Sequence, residues 1–197
     1  GHTQIVLVKD YLEMEVIGST IDDAAGEAFD KSAKLLGFPY PGGPLIDKWA
    51  KEGNPDAFSF SEPNMEGYNF SFSGLKTAIM YFLKKETKNN PEFIEENKAD
   101  LCASIQRTIV SILLKKITLA AKDLKIAQIA IAGGVSANSG LRSAMMELGN
   151  EEHWDIFIPK FEYCTDNAAM IAIAGKFMLE KGLMAGQEIS AKARMAM

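Results

Sequence analysis

Residues 126–132 form an apolar, β-rich run that ends at Gly133-Gly134 and passes through Val-Ser-Ala-Asn-Ser into a helical pattern. That succession predicts a buried strand, a tight turn and a helix, and such units build α/β sheets. Partners for the strand are predicted elsewhere. Residues 3–9 and 11–18 read as a hairpin divided at Asp10, with Leu12, Met14 and Val16 on one face of the second strand and Tyr11, Glu13 and Glu15 on the other. Residues 154–159 read as a further strand. A hairpin followed by alternating strands and helices predicts an α/β domain with a mixed sheet.

Helical periodicity places the remaining elements. A helix is expected from Thr20, with Asp23 as its capping-box partner, to Leu36 before Gly37. Its apolar stripe is Ile21, Ala25, Ala28, Phe29, Ser32 and Leu36. A Pro/Gly-rich loop at 37–44 precedes a short helix at 45–51, and residues 53–74 read as a loop-and-hairpin insertion. Residues 75–85 are helical up to the break at Asn89-Asn90-Pro91. A long helix at 97–124 buries Leu101, Ile105, Ile109, Ile112, Leu113, Ile117 and Ala120. The helix after Gly133-Gly134 ends near Gly149. A last helix starts at Asp166 with Met170, Ile171, Ala174, Phe177 and Met178 inward, and stops at Gly182. No internal repeat is present.

At 197 residues, 47% hydrophobic and 24% charged, the chain is globular and long enough for one large domain or two small lobes. Its net charge of -5 means that any nucleic-acid contact needs a local patch or a partner's surface. Cys102 and Cys164 read as reduced thiols of a cytoplasmic protein. No apolar run approaches the roughly 18 residues of a membrane helix, so no membrane association is expected. The first residues begin directly as a strand, without a signal peptide. The missing initiating Met reads as truncation, with Gly1-His2 as a vector remnant the alternative.

Several constellations have the residue types for chemistry, each beside a plainer reading. Asp23, Glu27 and Asp30 share one helix face. Their carboxylates suit ribose hydroxyls or a metal, or form a solvated face with Glu27–Lys31 and Asp30–Lys34 pairs. Gly133-Gly134 exposes backbone N–H groups ahead of a helix N-terminus that favours phosphate, while Ser136, Asn138 and Ser139 are equally ordinary N-cap residues. Tyr40-Pro41-Gly42-Gly43-Pro44, with Asp47 beyond, is a tight, open-backbone loop of the kind most often structural. Asp166 is an N-cap or one carboxylate ligand. With only His2 and His153 in the chain, a full metal centre needs ligands from elsewhere. Ser71 and Ser73 lie near Lys76, but no histidine completes a hydrolase triad.

Six ordered motifs go further. They are Gly-His-Thr-Gln at 1–4, Asp-Asp-Ala-Ala-Gly-Glu-Ala-Phe-Asp-Lys at 22–31, Tyr-Pro-Gly-Gly-Pro at 40–44, Phe-Ser-Phe-Ser-Gly-Leu-Lys-Thr at 70–77, Ala-Gly-Gly-Val-Ser-Ala-Asn at 132–138 and Cys-Thr-Asp-Asn-Ala-Ala-Met at 164–170. Together they closely resemble the tRNA N6-adenosine threonylcarbamoyltransferase family, once labelled O-sialoglycoprotein endopeptidase. The resemblance implies an actin-like ATPase fold of the sugar kinase/Hsp70/actin type. Residues 1–197 would then be the C-terminal lobe of a two-lobed enzyme, with a helical and loop insertion at about 38–125. It implies transfer of a threonylcarbamoyl group from its adenylate to N6 of adenosine 37 in tRNAs that read codons starting with A.

By the same resemblance, Gly1 ends a substrate loop, and Asp30, Gly43, Asp47, Gly133, Gly134 and Asn138 meet the nucleotide part of the adenylate. Asp166 is the catalytic metal ligand, for iron in the first place, with zinc or magnesium as alternatives. Expected partners are tRNA, an actin-like paralogue, a small ATPase and the enzyme that forms the adenylate. The family's N-terminal lobe, with its histidine ligands and first phosphate loop, has no counterpart here, so the isolated chain is expected to be inactive. Two other readings stand beside this one: a metal-dependent glycoprotein endopeptidase, and a non-catalytic actin-like scaffold of the same complex.

Overall fold

A computed structural model describes residues 2–63 and 65–190. The chain opens with an antiparallel hairpin, β1 (Gln4–Asp10) and β2 (Glu13–Ser19), in the register Leu7↔Glu15 and Val8↔Met14. The turn between them holds Leu12 at φ 65. The alternation expected of β2 is present, yet Met14 and Val16 are 56% and 37% exposed, with little of that face covered by the described residues.

α1 (Ala25–Leu35) is shorter than its periodicity suggests. Residues 20–24 bend into the helix instead: Thr20 bridges to Phe70, and the Ile21 N–H donates to the Phe70 carbonyl at 3.1 Å. Ile21 is therefore exposed, and Asp23 caps nothing. The Thr3 hydroxyl of the incoming strand instead accepts the Ala25 N–H at 2.9 Å. The rest of the stripe behaves as expected, with Ala25, Ala28, Phe29 and Ser32 buried.

Three further helices close around α1. They are α2 (Gly43–Ala50), α3 (Ser73–Asn89) and α5 (Lys98–Leu124), with the single turn α4 (Phe93–Glu96) between the last two. Phe29, Ile46, Leu75, Ile79, Leu101, Ile105 and Ile109 are at most 2% exposed and form the centre of the core. Burying one such Ile or Leu stabilises the fold by about 2 kcal/mol. Residues 53–63 contain no hairpin. Phe58 instead packs tilted or edge-on against Phe82 and Phe93, and Phe60 edge-on against Phe82, with ring centroids 5.2–5.8 Å apart.

β3 (Gln128–Ala130) and β4 (Asp155–Phe157) pair in parallel through α6 (Ser139–Glu152), giving the expected strand–helix–strand unit. The antiparallel and parallel pairs form two separate two-stranded sheets among the described residues. β3 is consequently half-exposed rather than buried: β4 covers one edge, and the other faces a cleft.

α7 (Ala168–Glu180) departs most from expectation. Met170, Ile171 and Met178 are exposed, and only Ala174 and Phe177 are half-buried. Phe177 stacks on Tyr11 with centroids 3.9 Å apart, and Lys181 donates to the Tyr11 carbonyl at 2.8 Å. The helix is apolar nearly all round, and the described residues cover little of it. No described helix is long and apolar enough to cross a membrane.

Candidate nucleotide cleft

A cleft of about 1190 Å³ lies between β1 and the 126–138 segment, lined also by the start of α1, the start of α2 and the second half of α5. Asp30, Gly43, Asp47, Gly133, Gly134 and Asn138, far apart in sequence, all face it. Asp166 does not line it, and Gly1 lies outside the described residues.

The Gly133-Gly134 turn follows from backbone geometry. Gly133 sits at φ 83, in the left-handed region that favours glycine. The carbonyl of Gly133 accepts both the Ser136 N–H at 2.9 Å and the Ser136 hydroxyl at 2.6 Å, closing a short 3-10 turn over Gly134–Ala137. A Cβ on either glycine would meet nothing within 4 Å, so this backbone is open to a ligand. The N–H groups of Gly133, Gly134 and Val135 make no hydrogen bond to a described residue.

The α6 N-terminus is a different matter. Asn138 caps it, accepting the Leu141 N–H at 2.8 Å while donating to Gln106 Oε1 at 2.6 Å. Asp47 accepts the Ser139 N–H at 2.9 Å and the Ser139 hydroxyl at 2.8 Å. These first-turn donors, expected to face a phosphate, are taken by side chains. The open donors lie one turn earlier, at the two glycines.

Asp30 accepts the Gly42 and Gly43 N–H groups at 2.8 and 3.1 Å through one carboxylate oxygen, so it holds the start of α2. It makes no ion pair with Lys34. Lys31 pairs with both Asp23 (2.6 Å) and Glu27 (2.8 Å), the solvated-face arrangement for those two residues. The hydrogen bond from Lys31 holds the Glu27 carboxyl below its ordinary pKa.

Asp22 organises the neighbouring wall. Its carboxylate accepts the Phe72 and Ser73 N–H groups at 2.7 and 3.3 Å and the Ser71 hydroxyl at 2.5 Å. Burial pushes this carboxyl up, but those donors together with the Asp23 N–H outweigh burial and hold it below the usual carboxylate range.

The described lining carries Glu27, Asp30, Asp47 and His2, and no Lys or Arg. Such a lining suits hydroxyl donors, as on a ribose, better than a naked polyphosphate. The backbone N–H groups of the glycine turn are the open main-chain donors that a phosphate could meet in the described lining.

Asp166 is exposed at the foot of α7. It does not cap the helix: Asn167 does, accepting the Met170 N–H at 3.0 Å. Among the described residues no three His, Cys, Asp or Glu side chains gather as a metal site, so Asp166 offers one carboxylate and no more.

Arg142 connects these parts and carries no motif that marks it in the sequence. Its guanidinium donates to the Ser136 carbonyl at 2.7 Å and the Pro159 carbonyl at 2.6 Å, touches Cys164 Sγ at 3.3 Å, and stacks 4.1 Å from the Phe161 ring centroid. It ties the glycine turn to the segment leading to Asp166. Its position four residues after the cap is the only sequence signal, and many solvent-facing arginines share that position. Gln106 of α5, held against Asn138, equally carries no signal in the sequence.

The sequence model of the tRNA N6-adenosine threonylcarbamoyltransferase family matches residues 1–173. The chain belongs to that family. It is 61% identical over 98% of its length to the tRNA N6-adenosine threonylcarbamoyltransferase of Christiangramia forsetii, and 51% identical over 97% to that of Thermosipho africanus. In both cases it covers 57% of the relative, so the chain spans a little over half the length of these family members. A solved structure of full-length HypF in a phosphate- and nucleotide-bound form superposes on 83% of this chain and 26% of its own, with a TM-score of 0.60 at 15% identity. At that identity the likeness concerns the fold alone. The fold is the α/β, actin-like class that the motifs implied.

Proposed function

We propose that the protein containing this chain transfers a threonylcarbamoyl group from threonylcarbamoyl-adenylate to N6 of adenosine 37 in tRNA. The observation that carries this reading is the convergence of Asp30, Asp47, Asn138 and the open Gly133-Gly134 turn on one cleft, in a chain of this family. The adenylate's ribose hydroxyls donate to the free carboxylate oxygens of Asp30 or Asp47, and its phosphate lies over the glycine N–H groups. Asn138 keeps the turn in place from below. The N6 amine attacks the carbamoyl carbon, the bond from that carbon to the phosphate oxygen breaks, AMP departs, and N6 loses one proton. Gly43 belongs to the same substrate rim.

Asp166 fits as one ligand of a divalent metal, with iron the leading assignment and zinc or magnesium the alternatives. A metal bound there would supply Lewis acidity, which requires further ligands from outside the described residues. The partners proposed with this activity are the adenylate-forming enzyme, an actin-like paralogue and a small ATPase, in a cytoplasmic setting.

The test is a full-length protein carrying this sequence, given threonylcarbamoyl-adenylate and unmodified tRNA, with digested nucleosides read by mass spectrometry. Modified adenosine is expected from the wild type and not from Asp166→Ala, Asp30→Ala or the isolated 197-residue chain. Absence of product from folded wild type with its partner proteins present refutes the transferase reading.

A further inference from the structure

The outer face of α3 carries four exposed lysines, Lys76, Lys84, Lys85 and Lys88. At about 100° per residue they share one half of the helix with Met80 and Tyr81. Those two side chains are 40% and 64% exposed. The other half buries Leu75, Ile79 and Leu83 in the core. Lys76, Lys84 and Lys88 pair with no carboxylate among the described residues, and Lys85 reaches only Glu86, at 3.6 Å. The chain as a whole has a net charge of -5, so this stripe is not a by-product of a basic composition.

The stripe also has a direction. From Lys76 to Lys88 it runs about 18 Å along the helix. Its inner end is fastened to the cleft wall, where Asp22 holds the Phe72 and Ser73 N–H groups and Phe70 lines the cleft. A polyanion whose reacting base enters the cleft therefore has a row of cations leading away from it. An exposed tyrosine among lysines adds a stacking surface for an unpaired base.

We propose that this face of α3 binds the phosphodiester backbone of the RNA substrate, with Tyr81 stacking on a base that flanks the modified nucleotide. The proposal rests on the transferase reading above. Its test compares full-length wild type with K84A/K85A/K88A, all exposed helix positions where Ala preserves helicity. Binding of unmodified tRNA is followed by fluorescence anisotropy between 50 and 200 mM salt. Each lost phosphate contact removes about 0.7–0.9 from the slope of log K against log salt, so the slope should fall by about 2. Affinity at the lower salt should fall at least tenfold, while affinity for an AMP-type nucleotide stays unchanged. Tyr81→Ala should weaken binding about tenfold and leave the salt slope as it was. Unchanged tRNA affinity and slope in the triple variant overturn the surface while leaving the transferase reading intact. Loss of binding to a protein partner with tRNA binding retained also overturns it, and makes this a protein-docking face. A wild type that binds no tRNA overturns both readings.

Discussion

Replacing Asp47 by Ala separates a structural carboxylate from a purely ligand-binding one. In the folded chain this carboxylate, 17% exposed, accepts two hydrogen bonds from Ser139, at 2.9 Å from the N–H and 2.8 Å from the hydroxyl. Hydrogen bonds to a charged partner contribute about 1.5–3 kcal/mol each when buried. Ser139 is half-buried, so water recovers part of that loss, and the 3.9 Å contact with Lys51 adds little. A net cost of about 2 kcal/mol follows, a Tm lower by about 4–8 °C for a chain of this size. Asp47→Asn keeps one acceptor for Ser139 and loses the favourable charge at the α6 N-terminus, a smaller cost of about 0.3–1 kcal/mol. Thermal unfolding of the 197-residue chain, wild type and both variants side by side, reads these differences. If Asp47→Ala unfolds within a degree of wild type, the carboxylate does not hold α2 to α6, and the reasoning fails.

The Asp22 carboxyl, held below its ordinary pKa, contributes stability that is present above the unfolded value of about 4 and lost as pH falls through the lowered folded value. Denaturation midpoints of wild type and Asp22→Asn should therefore differ at pH 7 and converge towards pH 3; an equal gap at both would count against this. A Cβ on Gly42 would stand 2.2 Å from the Ala33 Cβ, so Gly42→Ala should destabilise by about 1–3 kcal/mol, read as a lowered urea midpoint. Arg142→Ala should raise the KM for the adenylate in the full-length enzyme more than it lowers kcat. Arg142→Lys should not rescue it, because one ammonium cannot span two carbonyls and a ring as the guanidinium does; full rescue by Lys would show that charge alone suffices.

Periodicity and local chemistry located most elements. Six of the seven residues expected in the stripe of α5 are buried and Ile117 is half-buried beside the cleft, because a long helix turns its one apolar face to the core. The strand–turn–helix–strand run of 126–159 was legible for similarly local reasons. The six ordered motifs in the sequence were enough to indicate the family and its fold. Long-range pairing decided the rest. The start of α1 unwound because Thr20 and Ile21 meet Phe70, fifty residues away, and backbone pairing there replaces a capping box. α7 looked like a core helix from composition, but composition cannot say whether anything covers an apolar surface. The roles of Asp30, Asp47 and Arg142 were hidden because a side chain's partner depends on which backbone the fold brings beside it. The sequence thus determined the elements, the motifs and their order, since those depend on nearest neighbours along the chain. Only the tertiary structure decided which carboxylates are committed to holding loops and which backbone donors stay open in the cleft, because both depend on contacts between segments that are distant in sequence.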